Sequence, residues 1–63
     1  MEQIIRDASF RILGYIETRS NGEKVAMDYS RKILGYYDPR SNATMDYSRR
    51  IIGYGDMLSS LIR

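Results

Sequence analysis

The chain contains no cysteine and no histidine. Without them there are no disulfide bridges, and most zinc and haem sites lose their usual ligands. That matters because a chain of 63 residues buries only about 60% of its unfolded surface, and domains of this size commonly rely on such a staple. Association with further copies is the staple that is left, so a homo-oligomer is expected. No apolar run approaches the roughly 18 residues of a membrane span. The segment Met1-Glu-Gln-Ile-Ile-Arg-Asp7 also lacks the order of a signal peptide. A soluble, cytoplasmic protein with no membrane partner is expected. There is no glycine-rich phosphate loop, and Ser9, Ser30 and Ser48 have no histidine to act as a base. These gaps argue against an enzyme, and neither cofactor nor metal is expected.

The formal charge is +2, with a pI near 9.2, which hints weakly at nucleic acid. The basic residues are interleaved with acids and form no block. Each of Asp7, Asp28 and Asp46 precedes a base by three or four residues, so local neutralisation is expected: Asp7 with Arg11, Asp28 with Arg31 or Lys32, Asp46 with Arg49 or Arg50.

Within this short chain one phrase is written three times, as Asp7-Ala-Ser-Phe-Arg-Ile-Leu-Gly14-Tyr15, Asp28-Tyr-Ser-Arg-Lys-Ile-Leu-Gly35-Tyr36 and Asp46-Tyr-Ser-Arg-Arg-Ile-Ile-Gly53-Tyr54. A unit this small cannot bury an apolar face alone, so the copies must stabilise one another. Asp7 to Asp28 spans 21 residues and Asp28 to Asp46 spans 18. Arg-Ser-Asn is common to both connections, which places the insertion just after it, in a surface turn. The whole of 1–63 reads as one domain, with repeats at about 4–24, 25–42 and 43–57.

Asp-x-Ser reads as a tight turn, the aspartate accepting bonds from the amides that follow. Simple alternation then puts Ile12, Gly14 and Ile16 on one face and Leu13 and Tyr15 on the other. The second copy divides as Ile33, Gly35, Tyr37 against Leu34, Tyr36, and the third as Ile51, Gly53, Gly55 against Ile52, Tyr54. Ile4-Ile5-Arg6, Val25-Ala26-Met27 and Ala43-Thr44-Met45 supply the strands before the turns. The fold class is therefore all-β, three pseudo-repeated hairpins with about six short antiparallel strands. The alternative is a small α-helical domain, because Tyr47, Ile51, Tyr54, Leu58 and Leu61 also fit helical spacing. Against it, each copy has glycine in its middle, where a helix loses about 1 kcal/mol. A short C-terminal helix, about 56–62 with Asp56 as N-cap, closes the chain.

The phrase Asp-x-Ser-x-Arg/Lys-Ile-φ-Gly-Tyr, φ being apolar, resembles small bacterial β-hairpin repeat proteins of the β-flower type. Their hairpins carry Asp-x-x-Gly-Arg-x-φ-Gly-φ and radiate around a pseudo-symmetry axis. The resemblance covers residues 4 to 56. It brings no catalytic residue. A small all-β protein-binding or assembly module is expected from the short core, the three similar hairpins and the unmatched strand edges. A fainter likeness to choline-binding wall repeats lacks their tryptophan.

One departure stands out. The position after the serine, where a left-handed glycine is usual, holds Phe10, Arg31 and Arg49. Either the turns adopt an unstrained type I geometry, or these side chains are placed to meet a partner. Phe10, Arg31, Arg49, Arg50, Tyr29 and Tyr47 are accordingly the candidate partner contacts. Tyr15, Tyr36, Tyr54, Leu13, Leu34 and Ile52 are the candidate core or interface residues. The arginines and tyrosines also support the alternative function, a nucleic-acid binder or an inhibitor that mimics nucleic acid, with bases stacked on aromatic rings. Asp7, Asp28 and Asp46 are accounted for as turn formers.

Overall fold

Each copy closes on its aspartate. One carboxylate oxygen of Asp7, Asp28 and Asp46 accepts the backbone N–H of the serine two residues on and the N–H of the residue four on, all at 2.8–3.0 Å. The aspartate carbonyl accepts from the N–H of Phe10, Arg31 or Arg49, and the aspartate N–H donates to the carbonyl of Arg11, Lys32 or Arg50. This is the three-residue hairpin loop, a type I turn followed by a left-handed residue. Phe10, Arg31 and Arg49 have φ of 64°, 68° and 66°. The unstrained turn is therefore ruled out: three large side chains occupy a backbone region that favours glycine.

The computed structural model describes residues 1–62. The strands are β1 (Glu2–Arg6), β2 (Ile12–Thr18), β3 (Lys24–Asp28), β4 (Ile33–Asp38), β5 (Ala43–Asp46) and β6 (Ile51–Tyr54). They form one antiparallel sheet in sequence order, so the three hairpins join edge to edge. The helical alternative is not supported. The longer first connection divides its extra residues in two ways. Thr18 pairs with Lys24 as an added rung, and the loop is Arg19–Glu23 where the second link has only Pro39–Asn42 between Asp38 and Ala43.

Simple alternation fails at one place in every copy. Ile5 pairs with Gly14 but Arg6 pairs with Ile12, leaving Leu13 as an extra residue. Leu34 and Ile52 are extra in the same way, between Ala26–Gly35 and Met27–Ile33 and between Thr44–Gly53 and Met45–Ile51. These bulges lie three positions beyond the left-handed residue, past a regular pair at Arg6–Ile12, Met27–Ile33 or Met45–Ile51, and each adds one residue to the outgoing strand. Ile12, Ile33 and Ile51 are thereby moved off the glycine face, and Leu13 and Leu34 pack against the core.

The glycine face is covered by the C-terminus. The expected helix is a single 3-10 turn, Leu58–Leu61, and the chain is turned onto the sheet by Thr44. The Thr44 hydroxyl donates to the Gly55 carbonyl at 2.6 Å and accepts the Met57 N–H at 3.0 Å. Lys24 Nζ holds Asp56 at 3.1 Å. The core consists of Ile16, Ala26, Leu58 and Ile62, with Ile5, Leu13, Leu34, Tyr37 and Leu61 around it.

The repeated glycine now has a physical reason. A Cβ at Gly14 would meet Ile62 Cγ2 and the Met27 carbonyl oxygen. At Gly35 it would come within 2.6 Å of Leu61 Cδ1 and 2.5 Å of the Met45 carbonyl, and at Gly53 within 2.5 Å of Met57 Sδ. Gly35 is hemmed in by backbone, whereas Gly53 faces only the far end of a flexible side chain. Gly35→Ala is expected to lower stability by about 1 to 3 kcal/mol, and Gly53→Ala by clearly less. Urea denaturation of the two variants checks this, and equal losses would contradict the role given to the strand backbone.

Candidate interaction surface

On the other face of the sheet, the strained turn residues reach back to the preceding hairpin. The Arg31 guanidinium lies 4.1 Å from the centre of the Tyr15 ring, and that of Arg49 lies 4.0 Å from the centre of Tyr36. Arg31 also pairs with Glu2 at 2.6 Å and Arg49 with Glu23 at 3.2 Å. Each junction between hairpins is thus closed by a turn arginine, stacked on a strand tyrosine and tied to a glutamate of the copy before it.

The local pairing expected for these arginines is corrected by this geometry. Arg11 does pair with Asp7, at 3.3 Å, but Arg31 and Arg49 reach carboxylates 29 and 26 residues away. The reason lies in the backbone. Asp28 and Asp46 accept two amides and a serine hydroxyl on one oxygen, much as Asp7 accepts two amides, but the left-handed geometry of Arg31 and Arg49 carries their side chains away from their own loops to the preceding hairpin. The aspartates stay apart as well, each bound into its own turn. Among the described residues no three acidic side chains gather into a metal-binding group.

Neither Glu2 nor Glu23 was singled out from the sequence, although a signal was there. Each stands five residues before its copy's aspartate, where the third copy has Ser41. The opposite departure occurs in the first copy, which has Phe10 in place of the arginine.

A second contact follows the same rule. A shallow groove lined by Asp7, Arg11, Ile12 and Leu13 is bounded by Tyr29 of the next turn, and an equivalent one, lined by Asp28, Lys32, Ile33 and Leu34, is bounded by Tyr47. Tyr29 and Tyr47 remain largely exposed there, as does Arg50. Leu13 and Leu34 are half-buried against the core, and Tyr15 and Tyr36 are half-buried beneath their arginines. Tyr54 and Ile52 do not lie in the core: Tyr54 is 72% exposed and Ile52 44%, because their strand β6 is outermost in the sheet. Among the described residues no cation lies over Tyr54. Phe10, in the turn that joins the other outermost strand, β1, to β2, is 78% exposed.

Three carboxyl groups are more acidic than usual. Glu2 is lowered first by its bond from Arg31. Asp28 and Asp46 are lowered first by the hydroxyls of Ser30 and Ser48, then by the amides of Lys32 and Arg50.

The fold and this surface define a class: an all-β, single-sheet array of three hairpins whose junctions repeat one cation–aromatic–carboxylate contact. No protein-family model, no curated protein and no solved structure matches the chain.

Two outcomes are expected. In dilute solution Phe10→Gly raises stability by about 1 kcal/mol, since it removes backbone strain and loses no stacked partner. Arg31→Gly and Arg49→Gly, which forfeit the stack and the ion pair, gain nothing or lose. Urea denaturation decides, and an equal gain in all three variants would remove any energetic part for the junction contact. For pH, the folded chain holds Glu2, Asp28 and Asp46 ionised more firmly than the unfolded chain does. Their contribution is therefore present above the ordinary carboxylate range and is lost as pH falls through the lowered values. The urea midpoint is expected to be flat near neutrality and to fall below about pH 4. The fall should be shallower in the Ser30→Ala/Ser48→Ala double variant, and an unchanged slope contradicts the assignment.

Proposed function

We propose that this protein is a small, non-enzymatic β-repeat module for binding and assembly that works as a homo-oligomer. The observation that carries this reading is the state of the two ends of the sheet. β1 and β6 are the outermost strands, and Ile4, Phe10, Ile51, Ile52 and Tyr54 stand exposed at or beside them. An edge strand offers unpaired N–H and C=O groups to any extended chain, and proteins that stay monomeric usually blunt it with charge, proline or a covering segment. Here β6 is Ile-Ile-Gly-Tyr, without a charge or a proline. β1 is charged at both ends but carries Ile4 and Ile5 between them, and an uncharged β6 edge on a chain with so small a core favours a copy that covers it.

The nucleic-acid reading draws on the same arginines and tyrosines, and its support is weaker. Arg31 and Arg49 are already engaged by Glu2 and Glu23 and lie on the rings of Tyr15 and Tyr36.

Sedimentation equilibrium at micromolar concentration tests the proposal. The expected result is a mass above 7.4 kDa that falls on dilution. A monomer at every concentration, melting cooperatively, overturns it.

A further inference from the structure

The two junctions inside the chain supply a template for a third, between chains. At the first junction Gly14 pairs with Asp28 and Tyr15 with Met27. At the second, Gly35 pairs with Asp46 and Tyr36 with Met45. Carried one step further, the register sets Gly53 of one copy opposite Asp7 of the next, and Tyr54 opposite Arg6. The turn residue that would then lie over the Tyr54 ring, as Arg31 lies over Tyr15, is Phe10 of the next copy. The position that would supply the carboxylate, as Glu2 and Glu23 do, is Ser41.

We propose that chains join head to tail, with β1 of one copy added to β6 of another and Phe10 seated on Tyr54. This rests on the assembly reading above and names its interface. Three observations carry it. Two of the places where the copies depart from one another, Phe10 for arginine and Ser41 for glutamate, fall on the two halves of one contact. An arginine needs the carboxylate, whereas a phenylalanine ring packs on a tyrosine ring without one, so the terminal pair is matched as the internal pairs are. Terminal units that merely end an array carry polar outer faces, yet here the first copy replaces a cation by an aromatic ring at its open end and the last gives up a charge. Finally, Phe10 holds a left-handed backbone while 78% exposed, a strained geometry with no stacked partner inside the chain.

The joint has a stated limit. β6 ends at Tyr54, so the shared ladder is short. Ala8 stands where Tyr29 and Tyr47 stand in the other turns, so the groove contact is missing too. The aromatic pair is thus the main side-chain contact, and the association is reversible and sensitive to it. Because the two surfaces differ, the contact is heterologous and builds a closed ring or an open array.

Charge exchange tests this on the full chain. Phe10→Arg puts a guanidinium over a ring that has no carboxylate beside it, and the dissociation constant read by sedimentation should rise about tenfold or more. Adding Ser41→Glu rebuilds the arginine–tyrosine–glutamate contact of the internal junctions, and association should return to within about threefold of the starting value. Both positions are exposed, and the equivalent turns already hold arginine with the same φ. Circular dichroism and urea midpoints measured in dilute solution confirm that the fold is kept. If the protein assembles but Phe10→Arg leaves assembly unchanged, or Ser41→Glu brings no recovery, this interface is wrong while the assembly reading stands. If the unaltered chain is a monomer throughout, the assembly reading itself falls.

Discussion

The structure depends on one short segment lying across three glycines. A single sheet has two faces, and one of them must be covered by something other than water for the strands to hold. Here the cover is the stretch from Met57 to Ile62, which sets Met57 on Gly53, Leu61 on Gly35 and Ile62 on Gly14. Each hairpin is thereby clamped at an equivalent point by the same piece of chain. Leu58, fully buried, fills the space between that piece and the sheet. A methyl group at Gly14 or Gly35 would press on both the segment and the neighbouring strand, so the residue that makes each copy a poor helix is also the one that lets the sheet acquire a second layer.

The opposite face is organised by contacts of a different kind, and their magnitudes decide what those contacts do. A non-glycine residue in the left-handed region costs about 1 to 2 kcal/mol. An exposed cation–π contact returns about 0.5 to 1, and an exposed ion pair about 0.2 to 1. The arginine contacts at the two junctions therefore offset the strain of the turns that present them and leave little surplus. Their consequence is positional. They fix how one hairpin sits beside the next, with specificity supplied by a ring and a carboxylate that belong to the preceding copy, while stability comes from the glycine face.

Much of this was legible in the sequence, for physical reasons that can be traced to particular residues. The turns were readable because an aspartate followed two residues later by serine has one strong local solution, and the structure adopts it three times. The sheet was readable because Gly14, Gly35 and Gly53 fall where a helix tolerates glycine least. The bulges at Leu13, Leu34 and Ile52 were not, since strict alternation has no place for an extra residue, and the faces assigned to Ile12, Ile33 and Ile51 were wrong for that reason. The arginine contacts were missed because charge reasoning along a sequence favours near neighbours, whereas the left-handed backbone at Arg31 and Arg49 directs their side chains to the preceding hairpin. Tyr54 and Ile52 were grouped with their equivalents as core or interface, yet their surroundings differ because β6 has a neighbouring strand on one side only.

That last point bears on where function lies in a protein made of repeats. The repeated positions are consumed by folding: the aspartate makes the turn, the serine steadies it, the glycine admits the C-terminal segment and the tyrosine receives the next arginine. Positions that break the repetition are free of those duties. At Phe10 the turn uses only the backbone, so the ring is left over and stands 78% exposed beside the outermost strand β1, while Ser41 lies exposed in the link between β4 and β5. A linear sheet of like units must end somewhere, and its ends are quiet only when they are made polar or are met by another surface. In this chain Phe10 and Ser41 both replace a charged residue of the equivalent copies, a change that on the head-to-tail joint proposed above serves contact better than it serves termination.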